Sequence, residues 1–278
     1  MSATPGQMSN LQLRVVSAVV LAILVLGLTW VGGFAFRLLA CIIGGLVLYE
    51  WFTMSRSVAG GKNQLLGSAG FGLLALALVL YFPAPYAFLV LGLGIVATVA
   101  DATLTKRTYW TAGGLAYAGL SVISLAFLRD SDSPGLIAIL FLFAVVWATD
   151  ILAYFVGRAI GGPKLAPAIS PGKTQSGAIG GAVGGVIAGL ILAAVAGLSG
   201  LGQLGVIALV LSLVSQAGDL FESWVKRQHG VKDSSAIIPG HGGVMDRIDG
   251  LVAAGFALYI LGALSGGADA PAHGLFAG

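Results

Sequence analysis

The residues best equipped for chemistry stand close together: Ser223, Lys226, Arg227, Lys232, Asp233, the run Pro239-Gly240-His241-Gly242-Gly243, then Asp246, Arg247 and Asp249. From Ser223 to Asp249 there are four basic residues, three acids and two histidines, in a 278-residue chain that is only 9% charged. Charge beside apolar segments is costly unless it meets water, an ion or a charged ligand. Asp246 and Asp249 are three apart, a spacing that returns to nearly the same helix face. Two carboxylates held together repel unless a proton or cation intervenes. A divalent cation is the natural partner, and hard oxygen ligands suit magnesium. Helix N-capping is the competing reading; it accounts for one Asp well, and for two plus Asp219 less well.

Upstream, Gln216, Asp219, Ser223 and Arg227 are spaced for one helix face, with Glu222 and Lys226 close to it. Asp219 follows an apolar run, where an acid is expected to be functional or to pair with Lys226 or Arg227. The glycines of the Pro239–Gly243 run let backbone N–H groups approach a phosphate, and the run feeds a helix N-terminus. His241 is a candidate donor to a phosphate oxygen. Lys226, Arg227, Lys232 and Arg247 add positive charge; an anionic-lipid patch explains some of these bases but not the interleaved acids.

A second charged stretch runs from Gly162 to Thr174. Its Gly172-Lys173-Thr174 end is similar to a P-loop, but Pro167 occupies the position of the first glycine and no strand is predicted before it. Lys173 can still reach a phosphate, with Ser170 and Thr174 as donors; the alternative is a rigid, lysine-bearing interfacial turn. Asp150 and Tyr154 lie four apart within an apolar segment. Asp150 therefore needs a partner, expected to be a base from the last charged loop.

The elements that position these residues follow from composition. The chain is 58% hydrophobic, and its charged fraction falls far below the roughly 25% usual in soluble domains. Continuous apolar runs long enough for a hydrocarbon core of about 30 Å make it a polytopic, all-α membrane protein. Nine spans are predicted, near 13–32, 36–54, 64–82, 84–101, 110–128, 135–157, 177–198, 201–221 and 250–266. With the N-terminus inside, Arg14, Arg56, Lys62, Lys106, Arg107, Arg158, Lys164, Lys173, Lys226, Arg227, Lys232 and Arg247 fall on the inner side, and only Arg37 and Arg129 outside. That bias places loops 158–176 and 222–249 in the cytoplasm and the C-terminus outside.

Residues 1–105 read as N-terminal membrane helices and 106–278 as the membrane-embedded catalytic region. Arg14 and the apolar run after it are read as an uncleaved first span. The net charge of +3 is not patterned for nucleic acid, and the lone Cys41 excludes an intrachain disulfide. Gly177, Gly181, Gly185 and Gly189 recur every fourth residue, a helix-packing face within the chain or in a homodimer, with a close approach to a lipid substrate as the functional alternative. The Gly/Ala-rich tail after Gly266 is expected to be disordered.

Ser223 to Asp249 resembles, without a gap, the signature of the phosphatidate cytidylyltransferase (CDP-diacylglycerol synthase) family: S-x-x-K-R-x4-K-D, a spacer, then P-G-H-G-G-x-x-D-R-x-D. Asp150-x-x-Ala-Tyr154, Gly157-Arg158 and Ser170-Pro-x-Lys173-Thr174 also look like family features, so the resemblance spans about residues 145–250. One position departs: where the family often has Lys-Thr-x-Glu-Gly, this chain has Ser176 in place of the Glu. The resemblance implies that CTP and phosphatidate give CDP-diacylglycerol and pyrophosphate for phospholipid synthesis, on the inner face of the cytoplasmic membrane. It assigns Asp219, Asp246 and Asp249 to magnesium, with a second, monovalent ion left open. Lys173, Lys226, Arg227, Lys232 and Arg247 would hold phosphates, helped by Ser170, Thr174, Ser223, His241 and the backbone of Gly242 and Gly243, with Asp150 nearby. A secondary transporter is the main alternative reading of intramembrane charge, but no convincing internal repeat accompanies it. A CDP-alcohol phosphotransferase would need an Arg and further aspartates after Asp249-Gly250, where Leu-Val-Ala-Ala stands.

Overall fold

The computed structural model describes residues 10–55, 61–238 and 242–277. Its elements are α1 (Asn10–Val31), α2 (Gly33–Ser55), α3 (Gly61–Val79), α4 (Ala84–Leu104), α5 (Trp110–Arg129), α6 (Ser133–Ile160), β1 (Lys164–Ala166), β2 (Ser170–Thr174), α7 (Gln175–Val195), α8 (Leu201–Gln228), α9 (Met245–Gly266) and α10 (His273–Phe276). Eight of the described helices, α2 to α9, are long and apolar enough to cross a membrane, and Val15–Val31 of α1 adds a shorter apolar helix. The predicted spans are all present as helices. In hydrocarbon only internally satisfied backbones persist, so continuous apolar sequence becomes helix.

α5 is the hub. It is 78% buried along its span and packs against α2, α3, α4, α6 and α9. At one end of the bundle, Arg129 of α5 donates from Nε to the Thr29 carbonyl at 2.5 Å and from Nη2 to the Trp30 carbonyl at 3.0 Å, so the guanidinium satisfies orphan carbonyls at the end of α1. Asp132 caps α6 by accepting from the Gly135 amide at 2.9 Å and pairs with His273. Burial works to raise its pKa, but these hydrogen bonds outweigh it and hold the carboxyl below its ordinary range. The opposite end carries the β1–β2 hairpin and the charged stretches.

α6 and α7 form the closest helix pair, because glycine faces α6 along one side of α7. Gly177, Gly181, Gly185 and Gly189 are all buried. A Cβ on Gly181 would stand 2.7 Å from the Thr149 carbonyl oxygen, and one on Gly177 2.6 Å from that of Ala153. The glycine face is thus occupied within the chain.

Three features depart from expectation. Residues 164–174 form an antiparallel hairpin, with Lys164 opposite Thr174, rather than an open loop. α8 runs past the predicted end at 221 to Gln228; at 28 residues it is about 42 Å long, so its last turns project beyond the hydrocarbon and carry the charges with them. Residues 267–277 pack onto the bundle: Ala272 and Phe276 are buried, and Phe276 packs on Phe141 with ring centroids 5.3 Å apart. Their composition suggests disorder, but two apolar side chains there find a cleft.

Candidate active site

Two adjoining neighbourhoods hold the chemistry. The first is a cavity of about 610 Å³ between the ends of α6, α7 and α8 and the hairpin. Asp150 and Arg158 enter it from α6, Lys164 and Lys173 from the hairpin, and Gln216 and Asp219 from α8. Thr174, the last residue of β2, accepts from the Gly177 amide at 3.1 Å and so starts α7. That cap fixes the direction of the strand carrying Lys173, which forms an ion pair with Asp219. Asp150 and Asp249 interact electrostatically with both members of the pair. The opposite charge facing Asp150 is therefore Lys173, from the hairpin, and not a base of the last loop.

The second neighbourhood is built around Asp246, in the first turn of α9. Its Oδ1 lies 2.7 Å from Lys226 Nζ, and its Oδ2 accepts from the Gly243 amide at 2.8 Å and the Ser234 amide at 3.0 Å. Glu222, fully buried, stands 2.6 Å from the same ammonium one turn earlier on α8. Glu222 also interacts with Asp246 and Asp249, so it joins the two neighbourhoods.

Glu50 was not apparent from sequence. It projects from α2, is fully buried, and receives four hydrogen bonds from residues 184 to 195 positions away. Ser235 Oγ donates at 2.6 Å, Ser234 Oγ at 3.0 Å, and the Val244 and Met245 amides at 2.8 Å each. Val244 supplies no side-chain cap to α9, so Glu50 provides one from another helix. The Ser234 hydroxyl stands 3.0 Å from both Glu50 Oε2 and Asp246 Oδ2, and its one proton serves two carboxylates. A Cβ on Gly243 would meet both Glu50 oxygens at 2.7 Å, so glycine is required there. Trp51 fixes the end of α2 by donating from Nε1 to the Trp110 carbonyl at 2.8 Å. The available signal was an acid in an apolar run near a predicted span end. Tyr117 was also missed: its hydroxyl is buried, lacks a hydrogen-bond partner among the described residues, and interacts with Asp219, Glu222 and Asp249.

The remaining predicted residues fall around these centres. Arg227 donates to the Val231 carbonyl at 3.0 Å, turning the chain after α8. Ser223 is half-buried on α8, Ser170 opens β2, and Lys232 and Arg247 are exposed. Gly242 has φ +83° and its carbonyl accepts from the Ile238 amide at 2.9 Å. His241 lies outside the described residues. Ser176, where the resemblance expects Glu, donates to the Gly161 carbonyl and ties α7 to the end of α6. His229 caps α8 against the Trp110 ring, 4.5 Å between centroids, and burial holds its pKa below the ordinary histidine value.

Among the described residues no three His, Cys, Asp or Glu side chains form a ready-made metal cluster. Asp150, Asp219 and Asp249 each interact with Lys173, and their carboxylate oxygens are of the hard donor type that magnesium takes. Asp246, by contrast, already accepts from donors at both oxygens.

Fold and site together define a membrane-embedded helical protein with a cavity of about 610 Å³, lined by both charge signs, at one end. Residues 12–265 match the Cytidylyltransferase family, and the chain belongs to that family. It is similar to the phosphatidate cytidylyltransferase of Brucella suis biovar 1 (strain 1330), 48% identical over 266 residues, covering 95% of this chain and 97% of that one. The phosphatidate cytidylyltransferase of Bacillus subtilis (strain 168) is 33% identical over 273 residues, covering 92% and 99% respectively. That of Haemophilus influenzae is 41% identical over 142 residues, covering 49% of each chain.

Proposed function

We propose that this protein transfers a cytidylyl group from CTP to phosphatidate, giving CDP-diacylglycerol and pyrophosphate. The observation that carries the reading is a polar cavity at the end of a membrane bundle where Lys173, Arg158 and Lys164 face Asp150 and Asp219. Such a site accepts a polyphosphate and a cation together, beside the layer in which a lipid substrate resides.

A phosphatidate phosphate oxygen forms a bond to the α-phosphorus of CTP, and the bond from that phosphorus to the bridging α–β oxygen breaks, releasing pyrophosphate. The nucleophile is already anionic, so positioning and charge neutralisation matter more than a general base. Lys173, Arg158 and Lys164 hold phosphates in the cavity. Lys226 and Asp246 hold Ser234 and Gly243, and glycine at 242 and 243 lets backbone donors approach phosphate oxygens. Magnesium would be held by Asp219 and Asp249 with Asp150; when bound it offsets charge on the phosphates. The positive-inside bias supports a cytoplasmic position for this end of the bundle, where CTP is available.

The test is a detergent-solubilised assay with CTP, magnesium and dioleoyl phosphatidate, following pyrophosphate and CDP-lipid. Asp219→Asn and Asp246→Asn each abolish turnover while the helical circular-dichroism signal is retained. Full turnover in Asp219→Asn would sink the assignment of the first neighbourhood, and no turnover by the unaltered protein would sink the reaction.

A further inference from the structure

Beside the Lys226–Asp246 pair, two buried polar groups lack hydrogen bonds among the described residues. The first is the Tyr117 hydroxyl on α5. The second is Glu222 on α8: Lys226 Nζ stands 2.6 Å from its Oε2, yet neither carboxylate oxygen receives an aligned hydrogen bond. A buried donor or acceptor left unmade is costly, and a buried tyrosine hydroxyl usually finds a partner. The Tyr117 ring is held in place, its centroid 5.5 Å from that of Trp51 and 6.0 Å from that of Phe221. Phe221 directly precedes Glu222 in the chain. The charges acting on the phenol are Asp249, Glu222 and Asp219, all of them acids. Phenylalanine would fill the aromatic slot equally well, so what the hydroxyl adds is a donor set among carboxylates.

We propose that Tyr117 is a positioning residue for the reaction, its hydroxyl donating to Glu222 through one internal water. The positioning role rests on the function proposed above; the bond to Glu222 does not. A buried water bridges polar groups where it finds two or more partners, and a carboxylate offers about four acceptor sites. The contacts then run in series from Tyr117 to Glu222, Lys226 and Asp246. Lys226 Nζ lies 2.6 Å from Glu222 and 2.7 Å from Asp246, so one ammonium is divided between two carboxylates. A donor from Tyr117 offsets part of the charge on Glu222 and leaves Lys226 available to Asp246. Asp246 in turn holds the Ser234 and Gly243 amides. Without the hydroxyl, Glu222 draws the ammonium toward itself, and Asp246 holds those amides less firmly. The anchor is effective because α5 packs against five other helices and cannot shift independently.

Tyr117→Phe removes one oxygen and keeps the ring. In melting curves of the detergent-solubilised protein its midpoint should fall by about 2–4 °C, the size expected for one hydrogen bond in a chain of this length. The fall should vanish in a Glu222→Met background, where the acceptor is gone. If Glu222→Met does not fold, Glu222→Gln takes its place, and the fall should be clearly smaller there than in the parent. A hydroxyl without a partner predicts an unchanged or higher midpoint for Tyr117→Phe, and that result overturns the proposal. An equal fall in both backgrounds overturns it as well, because the hydroxyl then serves another group. Measured well below these midpoints, kcat of Tyr117→Phe should fall about 10–100-fold, as for other outer partners of site residues. Placing 4-aminophenylalanine at position 117 restores a donor and should recover rate. A hydroxyl with a purely structural role leaves kcat at the parent value, which refutes the positioning role even where the midpoint falls. If the unaltered protein shows no turnover, the reaction is wrong and the positioning role falls with it, while the melting cycle separately decides the Tyr117–Glu222 bond.

Discussion

Glu50 is the residue on which the geometry around Asp246 depends most directly. A buried carboxylate survives in an apolar bundle only if its acceptors are filled, and four donors fill this one. Glu50→Gln exchanges one acceptor oxygen for an NH2 group facing N–H donors, leaving buried donors unpaired. The α9 N-terminus then loses its cap, and the Gly242–Gly243 backbone and Asp246 lose a fixed reference. The expected result is a fall in turnover of about 10–100-fold, the usual consequence of losing an outer partner of a site residue. Pyrophosphate release measured beside Asp246→Asn checks it; a Glu50→Gln rate within about twofold of the parent refutes the role. Sequence made Asp219, Asp246, Lys226 and Lys173 legible because charge stands out against apolar surroundings. It did not reveal that Lys173 pairs with Asp219, or that Glu50 reaches across nearly two hundred positions, since neither contact leaves a local spacing.

At the scale of elements, the α6–α7 pair sets the floor of the polar cavity, and the pair is close only because glycine lacks a side chain. Gly181→Leu would drive its Cβ to 2.7 Å from the Thr149 carbonyl, a backbone atom that cannot swing aside. The helices must part, at a cost of about 1–3 kcal/mol for overpacking. A lower thermal midpoint in detergent is expected, together with weaker CTP binding as Asp150 on α6 moves away from Lys173. An unchanged midpoint in a dye-binding melt counts against the close-packed pair. The glycine period was readable from sequence, as was each apolar helix, because both are repeating patterns. The hairpin at 164–174 was not: strands of three and five residues, the first between Pro163 and Pro167 and the second containing Pro171, carry no period. The end of α8 at 228 was obscured because its last turns are polar, although the Glu222–Lys226 pair at four-residue spacing supports helix there.

Across the whole molecule, the end remote from the site is closed by the segment after Gly266, which binds back to α9 and to two helices that are distant in sequence, α4 and α6. Asp269 accepts from the Ala84 amide at the start of α4 at 2.6 Å. Tyr259 of α9 donates to the Ala268 carbonyl at 3.0 Å. His273 pairs with Asp132 at the start of α6, and Phe276 fills the cleft beside Phe141. The polar contacts there are partly exposed and contribute little singly, so the ring carries most of the stabilisation. Phe276→Ala leaves a void in a site where the ring is 1% exposed. The cost is about 3 kcal/mol, the lower end of the range for Phe→Ala, since lipid can relax into the opening more readily than a closed core can collapse. Because the void lies at the opposite end from Lys173 and Asp246, the thermal midpoint should fall while KM for CTP and for phosphatidate stays at the parent value below that midpoint. Melting curves and initial rates on the same detergent preparation check both halves. A change in KM without a change in midpoint would mean that the remote end is mechanically linked to the cavity through α6 or α9 instead of serving as a clasp.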